Sequence, residues 1–197
     1  MTTTRLWSPL RPGAAIAGAG FIALCSAWGL FLPRPTAAIE YMDGTVGFSY
    51  PLRLSNSYAT RSQASDGNAT YYLTIDFPAA AAEPLDRIVV SLDEGYDPMF
   101  RYRLDATEAF VDTPDGRVSL PLGELAQAPD QALSVTFDPP VQPGAPVTLA
   151  LRPVRNPRVG GVYLCGATAY PVGQAVESTF TGYARLSFYE RDGDRWP

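Results

Sequence analysis

The sequence contains no histidine and no lysine; all 15 of its basic residues are arginine. Without histidine there is no Ser-His-Asp triad, no Cys-His pair and no His-ligated metal centre. Without lysine there is no Schiff-base nucleophile and no phosphate-binding P-loop. Cysteine is nearly absent as well, with only Cys25 and Cys165 in 197 residues. What remains for chemistry is carboxylates, hydroxyls, arginine and a thiol. That repertoire favours a non-enzyme, and no cofactor is expected.

The first 38 residues have their own character. Arg5 and Arg11 precede an apolar run, residues 13–32, in which Ser26 is the only polar side chain. Pro33 ends the run, and Thr36-Ala37-Ala38 supplies the small residues of a cleavage site after Ala38. Positive charge, apolar core and small-residue exit together read as a secretory signal peptide. The same run is also long enough to span a bilayer as an uncleaved anchor. Either way the remainder is expected to work outside the cytoplasm, in the periplasm or at the cell surface. It would touch a membrane only through an uncleaved N-terminal segment.

Residues 39–190 are long enough for a single domain with its own core, followed by a short tail, residues 191–197. Beyond Ala38 there are 12 arginines against 20 acids, a net charge of −8. So acidic a domain is not expected to bind nucleic acid. Cys165 is the only cysteine left there, so no internal disulfide can form. It is expected to serve as a small buried apolar side chain.

Helical periodicity is scarce. In Tyr71-Tyr72-Leu73-Thr74-Ile75-Asp76-Phe77 the apolar set Tyr71, Leu73, Ile75, Phe77 alternates with polar neighbours, the pattern of a half-buried strand. Leu133, Val135 and Phe137 repeat it, as do Val147, Leu149 and Leu151. Further strands are expected over 46–50, 87–92, 100–104, 109–111, 118–120, 161–169 and 183–189. Asp66-Gly67-Asn68, Asp115-Gly116, Asp138-Pro139-Pro140 and Gln142-Pro143-Gly144 read as turns between them. Only residues 121–127 look helical, for at most two turns. The sum predicts an all-β fold: an antiparallel Greek-key β-sandwich of about eight to ten strands, with an up-and-down barrel as the alternative.

The segments NATYYLTIDFPAAAAEPLDRIVV, FRYRLDATEAFV, VTFDPPVQPGAPVTLALRPVRNPRVGGVYLCGATAYPVG and GYARLSFYE resemble a family of secreted cyanobacterial domains of unknown function. The likeness covers about residues 50–190, and the pair of strands around LRPVRNPR is its most specific part. The resemblance implies an exported location and a compact β domain, and brings no activity with it. In that pattern an aromatic often stands where Cys165 stands here, which argues against a thiol-dependent function.

Three features are candidates for a site. Arg152, Arg155 and Arg158 recur at three-residue spacing in Arg152-Pro153-Val154-Arg155-Asn156-Pro157-Arg158, where the prolines restrict the backbone. As polyproline II they would share one edge at about 9 Å spacing, suited to a repeating anionic polymer such as an acidic glycan, or to an envelope protein. The competing expectation is that each arginine pairs with a nearby carboxylate and only stiffens a corner. Asp93, Glu94 and Asp97 are weak candidates for a calcium site, which needs six to eight converging oxygens. Tyrosines could stack on sugars, although Tyr71, Tyr163 and Tyr189 lie in strand runs where packing is the expected role. The reading is an exported, non-catalytic envelope domain that binds a glycan or a protein. The alternatives are a carboxylate-based hydrolase of envelope polysaccharide and a membrane-tethered assembly subunit.

Overall fold

The computed structural model describes residues 39–40, 44–97 and 100–190. The leader and the tail 191–197 lie outside the described residues. Twelve strands follow one another: β1 Ile39–Glu40, β2 Val46–Gly47, β3 Arg53–Ala59, β4 Tyr71–Asp76, β5 Leu85–Glu94 and β6 Glu108–Thr113. They continue with β7 Gly116–Leu120, β8 Leu122–Gln127, β9 Leu133–Val141, β10 Val147–Leu151, β11 Gly161–Pro171 and β12 Thr179–Phe188.

Ten of these form two five-stranded antiparallel sheets, in the orders β3-β4-β10-β6-β7 and β12-β11-β5-β9-β8, and β1 pairs with β2. The result is the expected antiparallel sandwich. Neighbouring hairpins are local, but β10 returns to lie between β4 and β6, the interleaving of a Greek key.

Alternation assigns the faces. Tyr71, Leu73 and Ile75 of β4 are buried, as are Val147, Leu149 and Leu151 of β10; Tyr163, Cys165, Ala167 and Ala169 of β11 come inward from the other sheet. Each large apolar side chain removed from water in this way contributes about 1.5–3 kcal/mol. At one end of the core Tyr71, Phe100, Tyr163 and Phe188 pack ring against ring, with centroids 5.5–5.8 Å apart for four of the pairs.

Two expectations are corrected here. Residues 121–127 hold no helix; Leu122–Gln127 is strand β8. Leu122 pairs with Phe137 and Leu125 with Val135, so three residues of β8 oppose two of β9. This bulge brings Leu122 and Leu125 to the same face, where both pack on the core. Their i, i+3 spacing therefore imitates a helix. Residues 100–104 form no strand either. Tyr102 makes an isolated bridge to Pro153, and Leu104–Ala106 is a 3-10 turn. The prolines Pro139 and Pro140, read as a turn, lie inside β9 where the register skips between Arg87–Thr136 and Leu85–Val141. A strand tolerates residues without an N–H only at such irregularities.

Candidate functional site

The segment after β10 is a corner held by bonds to its backbone and by the side chain of Asn156. Arg103 N–H donates to the Arg152 carbonyl at 2.7 Å, and Val154 N–H to the Arg101 carbonyl at 2.7 Å. Asn156 N–H donates to the Asp66 carbonyl at 2.7 Å, and Ser65 N–H to the Pro157 carbonyl at 2.8 Å. Arg158 N–H reaches Asp97 Oδ2 at 2.9 Å. Two core tyrosines extend their hydroxyls from the aromatic cluster to the same segment. Tyr163 donates to the Val159 carbonyl at 2.8 Å, and Tyr71 to Asn156 Oδ1 at 2.8 Å.

Asn156 is the node, and the sequence reading passed over it. It is 1% exposed. Its amide nitrogen donates to the carbonyls of Arg61, at 2.9 Å, and Gln63, at 2.8 Å. Both of its N–H donors are used, and its oxygen takes the one buried hydroxyl that would otherwise be left unpaired. Burial, reinforced by Cys165 and Tyr163, raises the pKa of Tyr71 far above that of a free phenol, so its hydroxyl remains a donor.

Burial across the corner follows a period of roughly three. Pro153, Asn156 and Pro157 face inward, while Arg152, Arg155 and Arg158 are exposed. The chain bends at Val154–Arg155 and again at Arg158–Val159, so it is not one straight polyproline edge. The expected ion pairs are absent: among the described residues the side-chain pairs are Arg61–Asp66, at 3.7 Å, and Arg117–Asp112, at 3.0 Å. The corner is rigid for other reasons, and its arginines project from it.

The metal candidates are not gathered. Asp93 Oδ1 accepts from the Ser91 hydroxyl at 2.8 Å, and Asp97 accepts from the Arg158 backbone. No group of three or more His, Cys, Asp or Glu side chains capable of holding a metal occurs among the described residues. Glu83 is a buried carboxyl whose pKa is raised by desolvation. Tyr71 and Tyr163 pack in the core as expected, whereas Tyr189 is exposed. Burial, with a smaller contribution from Asp93, pushes the Cys165 thiol up to about 12. A groove of about 390 Å³ lies at another end of the sandwich, lined by Tyr50, Pro51, Arg53, Asp76, Pro78 and Pro146 among others.

Fold and site define an antiparallel β-sandwich domain with a rigid, arginine-bearing corner. Within that class the chain belongs to the family described as "Protein of unknown function (DUF2808)", which matches residues 45–188. No curated protein matches the chain. Among solved structures it is similar to the group B streptococcus pilus 2b backbone protein, with a TM-score of 0.42 at 10% identity. That match covers 67% of this chain and 56% of the pilus protein, so the chain spans little more than half of its length. AvmM, which catalyses macrocyclization in alchivemycin A biosynthesis, gives a TM-score of 0.35 at 9% identity, covering 81% of this chain and 98% of AvmM. The N-terminal domain of PorA gives 0.30 at 12%, covering 73% and 98%. Likenesses of this order carry no functional argument.

Proposed function

We propose that this is an exported, non-catalytic binding domain of the cell envelope whose ligand is an anionic glycan contacted by Arg152, Arg155 and Arg158. The observation that supports this reading is the contrast within the corner: a backbone held at nearly every residue, and three exposed arginines without an ion pair among the described residues. A guanidinium offers a fixed fork of donors to a carboxylate or sulfate. One exposed pair contributes about 0–1 kcal/mol, so useful affinity requires several in series along a polymer. Beyond Ala38 the net charge of −8 repels an anionic polymer at a distance, as it would a nucleic acid, so the reading rests on local contact. At about 0.1 M salt, charges more than about 10 Å away are largely screened, while groups in contact are not.

The test is retention of the exported protein, as the cell processes it, on envelope polysaccharide at low and high salt. An Arg152→Gln, Arg155→Gln, Arg158→Gln variant of unchanged melting temperature runs beside it. Salt-sensitive retention lost in the variant is the expected result; equal retention, or none by either protein, removes the arginines from the function.

A further inference from the structure

A second surface is built by two strand irregularities around Gly166, on the outer face of β11. Tyr183 pairs with Gly166, and Phe180 with Thr168, because Thr181 is an extra residue bulged out of β12. Three residues apart in a regular strand, Phe180 and Tyr183 would face opposite sides of the sheet. The bulge puts both outside, each 52% exposed, with ring centroids 4.9 Å apart. It is locked in place: the Thr181 hydroxyl donates to the Ala167 carbonyl at 2.9 Å, and Gly182 takes the positive φ of 134° that follows.

On the other side of Gly166, β5 carries a bulge of its own. Leu92 pairs with Cys165 and Glu94 with Leu164, which leaves Asp93 as the extra residue. Ser91, the partner of Gly166, holds Asp93 Oδ1 at 2.8 Å. The other oxygen, Oδ2, lies 2.7 Å from where a Cβ on residue 166 would be, and the Phe180 ring lies 3.3 Å from the same point. Only glycine lets the carboxylate and the ring lie together on the sheet. Bulges of this kind re-aim side chains, and here two of them aim a carboxylate and two rings at one residue.

Further along the same face Tyr170 pairs with Arg87, whose guanidinium lies over the Tyr170 ring, 4.4 Å from its centroid. Arg87 Nε is buried without a hydrogen-bond partner. Gly166 and Tyr170 are four residues apart, about 13 Å along the strand. The face therefore carries two exposed rings beside a carboxylate, with the Arg87–Tyr170 pair further along the same strand.

We infer that this face binds the ring of a neutral sugar, which stacks on one ring of the edge-to-face Phe180–Tyr183 pair, interplanar angle 66°, while Asp93 accepts from its hydroxyls. Pyranose rings present both an apolar C–H surface and hydroxyls that donate and accept, which matches the set. A cationic ligand would also suit Asp93 and the rings, and tighter binding of one would decide against a sugar. This surface is separate from the arginine corner, and it needs no charge on the glycan.

The probes are cellohexaose, maltohexaose and chitohexaose, with tetramethylammonium as the cationic control, presented to the protein as the cell processes it. Saturation-transfer NMR is expected to show transfer to at least one hexasaccharide and little salt dependence. Phe180→Ala, Tyr183→Ala and Asp93→Asn should each weaken that binding about threefold to tenfold, and Gly166→Ser should act through displacement of Asp93. The arginine-corner triple variant should bind these probes as the parent does. Melting curves confirm that the variants fold; Phe180→Leu and Tyr183→Leu serve if an alanine does not. Three outcomes overturn the inference: no transfer to any of the three sugars, binding unchanged in a folded Phe180, Tyr183 double variant, or tighter binding of tetramethylammonium than of sugar.

Discussion

Replacing Asn156 by alanine should be among the most damaging single changes in this domain. Its side chain makes three hydrogen bonds, from Tyr71 Oη and to the carbonyls of Arg61 and Gln63. Arg61 and Gln63 are exposed, so water can re-satisfy their carbonyls, and those two bonds are worth about 1 kcal/mol each. Tyr71 is fully buried, and a stranded hydroxyl there costs about 1–3 kcal/mol. The total is roughly 3–5 kcal/mol, or about 10 °C in Tm for a domain of this size. The decisive variant is the double one. Adding Tyr71→Phe to Asn156→Ala deletes the stranded hydroxyl and should restore about 1–2 kcal/mol, although Tyr71→Phe alone destabilises. Urea denaturation of the four proteins measures all terms of the cycle. A double variant less stable than Asn156→Ala would refute the reasoning, as would an Asn156→Ala cost below about 1 kcal/mol.

The ionisable groups supply two more expectations. Desolvation raises the Glu83 pKa in the folded state, so ionising it opposes folding; that penalty is absent below the unfolded value of 4.5 and complete above the folded one. Glu83→Gln should therefore raise Tm at neutral pH and have no such effect below about pH 4, as read by calorimetry across that range. With its thiol pushed up to about 12, Cys165 should react with iodoacetamide at pH 8 at least about a thousandfold more slowly in the folded protein than in urea. Comparable rates in the two states would contradict its burial.

Sequence pattern was a good guide wherever strands are regular. β4 and the start of β9 alternate visibly because one face of each meets the core, and β10 alternates in residue type although both its faces are buried. β3 was missed because Arg53-Leu54-Ser55-Asn56-Ser57-Tyr58-Ala59 carries little apolar alternation. It is a sheet edge held by pairing with β4. Bulges misled most. In β8 a bulge gave Leu122 and Leu125 the spacing of a helix, and in β12 the same device put Phe180 and Tyr183 on one face. An extra residue costs nothing visible in a sequence, yet it reverses every side chain beyond it. The arginine corner was legible as a constrained segment, but its node was not. The partners of Asn156 lie 85, 95 and 93 positions away, so nothing local in Asn156-Pro157 beyond a constrained backbone points to them. The surplus of acids also suggests ion pairs at Arg152, Arg155 and Arg158, and none is made among the described residues.

The placement of β10 has a consequence for how the chain is made. All five of its residues are buried, and it joins β4 to β6, pairing Ala150 with both Tyr72 and Glu108. A ribosome releases β4 and the β6–β7 hairpin long before it releases the strand that connects them. Until residue 151 is free, both hold open edges beside an uncovered apolar face, the surface from which strands pair with the wrong neighbour. Hairpins can form early, but the first sheet cannot close on a partial chain. A nascent chain of this protein thus has to be kept from its neighbours while β4 and β6 wait for β10, and truncations ending between Leu120 and Val147 should be lost from the soluble fraction on centrifugation.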